Sequence, residues 1–359
     1  MRLLLLIGGT LIGVLVAELF ARIPAFPSEA DLLFNSPDSS PMGLYVLDKQ
    51  TRQLPAKNFQ TQARALGTTV ALRTNELQLR GPPSKTIQGE QWLAVGDSFT
   101  MSVQVSEEDS FQGQLGSQKK VYIWNGGVDG YSTWQAGLRY DQVRHKIPIQ
   151  TVILTFFTGN DFQDNERFLF MRTQPLPGKN GDPIPRRKIP AWKLFLLQHS
   201  YLYAHARIFQ HRRSLVSNQK EQARNWRDEL SIFSKVGQQR LQNLTKNSRD
   251  ALQDLKRRTL RGRSKLLVAI APPAFVVDQK RAKATFELVG IDQKDALLDA
   301  PQQAIQQVLQ QLNIPYCDLT SSLKKSEQEQ PTYLKTDGHW TIHGHKTVAQ
   351  TLHQCLSKP

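Results

Sequence analysis

The spacing of apolar residues divides the chain into stretches of different character. Residues 3–20 are almost wholly apolar and lie between Arg2 and Arg22. As a helix rising about 1.5 Å per residue, roughly 20 such residues cross a hydrocarbon core. Signal peptides have a shorter apolar region, and Ala17, Ala21 and Ala25 lack the small residue two positions upstream that cleavage favours. The expectation over residues 1–23 is therefore a transmembrane anchor, with a cleaved signal as the alternative. Glu18 falls near one end, where a carboxylate reaches the headgroups. Residues 24–88 are rich in Pro, Ser, Asn and Gly, show no sustained period and end in Gly81-Pro82-Pro83. They read as a stalk or lid.

Beyond them, short continuous apolar runs alternate with amphipathic stretches. Strands are expected at residues 92–95, 121–124, 151–157 and 266–271, with a weaker one at 314–319. Helical spacing covers about 108–118, 133–145, 230–261, 301–312 and 344–356. Strands that are apolar throughout, alternating with helices, predict an α/β fold with a central parallel sheet covered on both faces. One connection breaks the rhythm. More than a hundred residues separate the third and fourth strands, where a crossover needs about 30. Residues 168–187 look loop-like, and helical segments follow, so an insertion is placed at about 165–263.

Composition locates the charge. The chain has 359 residues, 39% hydrophobic and 21% charged, with a net charge of +15. That is a globular composition, and only one run is long enough to span a bilayer. Residues 186–263 hold 19 basic and 5 acidic residues, +14 of the total. This is either a solvated helical face or a surface for anionic lipid or an anionic polymer. Nucleic acid is disfavoured, because the export signal removes the domain from it and no nucleic-acid-binding motif is present. Two cysteines exclude a disulfide scaffold and a four-thiolate zinc site. Cys317 and Cys355 either pair in an oxidising compartment or remain buried thiols.

In open parallel sheets, ligands gather beyond the carboxyl ends of the strands. After the first strand stands Gly96-Asp97-Ser98, after the second Asn125-Gly126-Gly127-Val128-Asp129-Gly130, after the third Gly159-Asn160-Asp161. Asp337-Gly338-His339-Trp340 precedes the last helix. Acyl transfer needs this inventory: a hydroxyl nucleophile (Ser98), an imidazole to take its proton (His339), a carboxylate to orient the imidazole (Asp337), and fixed donors for an oxyanion. The donor candidates are the N–H groups of Ser98 and Gly130 and the Asn160 amide. His343 and His345 compete as the base. With Asp337 and His339 they also look like a metal cluster, although no Glu-containing zincin motif accompanies them.

These blocks, in this order, resemble the SGNH (GDSL) hydrolase superfamily, whose Ser, Gly, Asn and His match Ser98, Gly130, Asn160 and His339. The resemblance implies a flavodoxin-like three-layer α/β/α sandwich over residues 89–359, acting on acyl esters without metal or other cofactor. Residues 74–81, Thr-Asn-Glu-Leu-Gln-Leu-Arg-Gly, are similar to a stretch before the first strand of membrane-anchored bacterial members. The common last block is Asp-x-x-His. Asp337-x-His339 is shorter and resembles the SGNH-like domains of alginate-type O-acetyltransferases. The resemblance therefore implies a serine esterase working through an acyl-enzyme, with a polysaccharide O-acetyltransferase or deacetylase as the alternative. A silent carbohydrate- or lipid-binding module is the reading from another class. The expected location is a single-pass anchor with the domain in the bacterial periplasm or at the cell surface.

Overall fold

The computed structural model describes residues 2–22, 43–65, 68–184, 226–334 and 338–357, with short stretches between 192 and 206. The chain divides into two compact units. One comprises residues 1–42, 62–70 and 185–222, the other residues 43–61, 71–184 and 223–359.

In the first unit the N-terminal apolar run forms α1 (Arg2–Ala21). Among the described residues no helix is long and apolar enough to cross a membrane. The side chains of α1 are described only from Gly8 onward, apart from Leu11. The expected transmembrane helix thus finds no support here. Glu18 also departs from expectation. Its carboxylate accepts hydrogen bonds from Ser200 Oγ at 2.8 Å and from the N–H groups of Tyr201 and Leu202 at 2.8 and 3.1 Å. It caps the helical stretch that begins there. Residues 23–42 and most of 185–225 lie outside the described residues.

The second unit opens with an antiparallel hairpin, β1 (Tyr45–Asp48) and β2 (Arg52–Pro55). Along the chain a second two-stranded sheet follows, β3 (Gln60–Ala65) and β4 (Thr68–Arg73), whose residues 62–70 belong to the first unit. The stretch read as stalk or lid is therefore folded from residue 43. Leu44, Tyr45 and Leu72 are buried with Met101, Val128 and Tyr131. Strands this short give too few alternations to stand out as a pattern.

The main sheet comprises β5 (Gln91–Val95), β6 (Tyr122–Asn125), β7 (Ile149–Phe157), β8 (Lys265–Ala271) and β9 (Tyr316–Asp318). Their order is β6-β5-β7-β8-β9, and every neighbouring pair is parallel. This is the flavodoxin-like order. The described helices that cover it are α2 (Ser98–Met101), α3 (Phe111–Lys119), α4 (Thr133–Val143), α5 (Asp161–Met171), α6 (Gln238–Arg261), α7 (Gln279–Val289), α8 (Ala300–Gln311), α9 (Thr320–Glu327) and α10 (Ile342–Leu356). Successive strand residues point to opposite faces. Leu93, Val95, Val152, Leu154, Val268 and Ile270 pack beneath α4, α6 and α8. Trp92, Ala94, Ile153, Leu267 and Ala269 pack beneath α3, α9 and α10. Both faces are buried, which is why the strands read as unbroken apolar runs.

The β7–β8 connection differs in detail from the expectation. Residues 168–171, expected as loop, complete α5. α6 starts at Gln238 because two 3-10 turns, Ser231–Phe233 and Lys235–Gly237, precede it. Leu241, Leu244, Leu252 and Leu255 of α6 are core residues, so this helix is the crossover itself. It carries seven basic and two acidic residues, +5 of the +14, on a helix the sheet requires. Cys317 and Cys355 are joined in a disulfide between β9 and α10.

Candidate active site

The turn after β5 is made by glycine and by a cap. Gly96 takes φ +146°, and a Cβ there would lie 2.6 Å from Thr100 Oγ1 and 2.9 Å from the Thr155 carbonyl, so no side chain fits. Asp97 caps α2, its Oδ1 accepting from the Phe99 N–H at 3.0 Å. Ser98 is the first residue of α2 and is half-buried, while Ser102, at φ 55°, ends the helix after one turn.

The loop after β6 is pressed onto that turn. Asn125 Nδ2 donates to the Thr100 carbonyl at 2.8 Å, and its Oδ1 accepts from the Gly127 N–H at 3.0 Å. The Val128 N–H donates to the Gly96 carbonyl at 3.1 Å. A Cβ on Gly127 would lie 2.4 Å from Met101 N. Gly130, at φ +70°, is exposed and faces open space. Among the described residues its N–H has no partner. Asn160, beyond β7, is half-buried, and its Nδ2 donates to Asp164 Oδ2 at 2.8 Å. A carboxamide has two N–H bonds, so this one commits half of its donor capacity.

His339 comes from the far end of the chain. Residues 332–334 and 339–341 form a narrow clamp, with the Leu334 N–H donating to the His339 carbonyl at 2.8 Å and the Thr341 N–H to the Thr332 carbonyl at 2.9 Å. Trp340 is buried and meets Phe99 edge-on at 4.8 Å. The residues next to His339 and Ser98 thus pack on each other, and His339 Nε2 lies 2.8 Å from Ser98 Oγ across a separation of 241 residues. Asp337 lies outside the described residues.

The two rival histidines are engaged elsewhere. His345 is buried, its Nδ1 accepts from the Phe111 N–H at 3.2 Å, and burial lowers its pKa to about 3. His343 Nε2 is 2.6 Å from Ser326 Oγ. Neither bonds to Ser98, and the described residues bring no three metal-ligating side chains together.

Three buried carboxyls surround the Ser98 and Asn160 turns. Burial pushes Asp97 up to about 6 and Asp164 up to about 7, against the pull of the Phe99 N–H on the first and of Arg167 on the second. Asp161 is raised well above the carboxylate range by burial and by its two acidic neighbours. Its Oδ2 accepts from the Phe157 N–H at 2.9 Å, which fixes the end of β7.

Residues 232–359 match the family described as SGNH hydrolase-like domain, acetyltransferase AlgX. Over these residues, about a third of its length, the chain is similar to an SGNH hydrolase-like domain. The matched part holds β8, β9 and His339. Ser98, Gly130 and Asn160 precede it, joined to it by the main sheet and by the Ser98–His339 contact. No curated protein matches the chain. Among solved structures, a putative lipolytic protein of G-D-S-L family from Desulfitobacterium hafniense DCB-2 is similar at 11% identity and TM-score 0.41, covering 74% of this chain and 99% of that one. A member of the same lipolytic family from Veillonella parvula DSM 2008 gives 10%, 0.40, 76% and 100%. A mutant of Axe2, an acetylxylan esterase from Geobacillus stearothermophilus, gives 9%, 0.40, 76% and 96%. At these values the structural likenesses carry no argument, and the SGNH likeness rests on the family match over residues 232–359 and on this chain's own residues.

Other residues around the candidate site were not singled out by the sequence. Arg80, in the 74–81 stretch, is buried and donates to the carbonyls of Met101, Ser102 and Val105 at 2.7, 2.5 and 2.6 Å. Burial lowers its pKa to about 10. Tyr45 and Gln53 touch the Gly130 loop from β1 and β2. The stretch containing them had no pattern that would single them out. The Gly-Asp-Ser order does contain a signal for Asp97 as a cap, since Asp before a helix is a common N-cap.

Proposed function

We propose that the protein is an acyl-transferring SGNH enzyme that carries its acyl group on Ser98, and that it hydrolyses acyl esters. The observation that carries this reading is the 2.8 Å contact between His339 Nε2 and Ser98 Oγ. A serine hydroxyl is a poor nucleophile at neutral pH, and an imidazole at this distance takes its proton as Oγ attacks the ester carbonyl. The tetrahedral intermediate places an oxyanion before the N–H groups of Ser98 and Gly130 and the side-chain amide of Asn160. Such donors are worth about 3–4 kcal/mol each. His339 then returns the proton to the leaving alkoxide. Water, activated by the same imidazole, releases the acid from Ser98. Asp337 is assigned to orient His339 through Nδ1.

A second reading replaces that water by a polysaccharide hydroxyl, making the protein an O-acetyltransferase. It is favoured by the match to the AlgX acetyltransferase family and by the short Asp337-x-His339 block. For location, we assign α1 as a membrane anchor with the SGNH domain outside the cytoplasm. The disulfide supports this, since such bonds persist in oxidising compartments.

The test uses the full-length protein in detergent with short-chain aryl esters, wild type beside Ser98→Ala. The wild type releases the aryl alcohol, and the variant is slower by at least about 10³-fold. Equal rates would remove Ser98 as nucleophile. Adding an acceptor glycan separates the readings: acetyl on the glycan supports transfer, free acetate supports hydrolysis.

A further inference from the structure

We infer that Gln53 is a positioning residue for the oxyanion donor, acting through the peptide that joins Asp129 to Gly130. The inference rests on the acyl-transfer reading of the site. β2 holds this peptide and β1 the one before it. Gln53 Nε2 donates to the Asp129 carbonyl at 2.6 Å, and Tyr45 Oη accepts from the Asp129 N–H at 3.2 Å. Tyr131 Oη donates back to the Gln53 carbonyl at 2.6 Å, so the hairpin and the loop are laced on both strands. A trans peptide is planar, with its C=O and N–H pointing in opposite directions. Fixing the Asp129 oxygen toward Gln53 therefore turns the Gly130 N–H away from the hairpin. Gly130, at φ +70° with open space around its Cα, has no side chain to hold this orientation and needs it imposed from outside.

The hairpin is itself anchored. Arg52 donates to the carbonyls of Gln174 and Pro175 at 2.9 Å each, and Leu47 pairs with Asp182 and Gly181 at 2.7 and 2.8 Å. Gln53 thus pulls from a fixed base.

The experiment takes full-length wild type, Gln53→Ala and the near-isosteric Gln53→Glu, whose carboxylate cannot donate to a carbonyl. Active sites are titrated first. The expected result is a fall in kcat per active site of tenfold or more at nearly unchanged KM. The inhibition constant of an aryl boronate, which forms a tetrahedral anion on serine, should rise by the same factor. A change in the amide resonance of Gly130 in both variants reports the peptide directly, without turnover. Unchanged kcat and an unmoved Gly130 resonance would overturn the proposal, as would a loss of activity wholly explained by fewer active sites. If Gly130 moves while wild type and Ser98→Ala are equally inert toward esters, the clamp stands as structure and the acyl-transfer reading fails.

Discussion

Asp97, Asp161 and Asp164 gather three carboxyls around the turns that carry Ser98 and Asn160, where burial favours their neutral forms. Each binds a proton more readily folded than unfolded. Between the ordinary carboxylate value of 3.8 and about 7, the folded state therefore holds more protons than the unfolded one. Stability is greatest below that window and falls as pH rises through it, by at most about 1.4 kcal/mol per pH unit for each such proton. Asp164→Asn removes one of these titrations. Denaturant unfolding from pH 4 to 8 should show a shallower decline in the variant, and an unchanged slope would count against the assignment. At this scale the sequence was readable wherever chemistry constrains residue type. Ser98, Gly130 and Asn160 stand in blocks after β5, β6 and β7, His339 stands just before α10, and Ser98 and His339 meet. Gln53, Tyr45 and Arg80 were not readable, because they act through bonds to backbone groups, and any polar residue is a candidate for that.

Among the elements, the strands with two buried faces were plain in the sequence, because five parallel strands have to be apolar throughout. The β1–β2 hairpin was invisible, being four residues a strand and buried only in part. What ties residues 74–81 to the site is Arg80. Its loss would leave the Val105 carbonyl buried without a donor, at about 1–3 kcal/mol, while Asn125 Nδ2 and the Val105 N–H, each at 3.3 Å, remain on the carbonyls of Met101 and Ser102. Arg80→Met should destabilise the protein by at least about 1 kcal/mol in denaturant melts; no measurable change would mean that the Val105 carbonyl finds another partner. The disulfide joins β9 to α10 over 38 residues. By chain entropy it contributes on the order of 3–4 kcal/mol. Replacing both cysteines by serine should lower stability by that amount, read from the same melts, and reducing agent should then have no further effect.

For the molecule as a whole, the +15 of the sequence separates into parts with different meanings. The share on α6 decorates the outer side of a helix that the fold demands, and Arg258 there bonds to Asp254 and Asp141. Nearly all the rest of the excess lies upstream of it, between residues 185 and 225. The proposed anchor makes a simple expectation. Full-length protein should stay in the membrane pellet through an alkaline carbonate wash, whereas a chain lacking residues 2–22 should be released. Release of the full-length protein would reduce α1 to a surface contact.

The Cys317–Cys355 bond also sets which pieces of the molecule stay together after a cut. It closes a ring that contains His339 and leaves out Ser98, Gly130 and Asn160. Residues 328–331, between α9 and the His339 clamp, are exposed and open to a protease. Cleavage there would sever His339 and α10 from the rest of the backbone, yet Cys355 would keep them tethered to β9. The tether holds the histidine fragment at high local concentration beside its own serine. A nicked molecule can therefore reclose its active site, and only a nick combined with reduction lets the two halves of the pair drift apart.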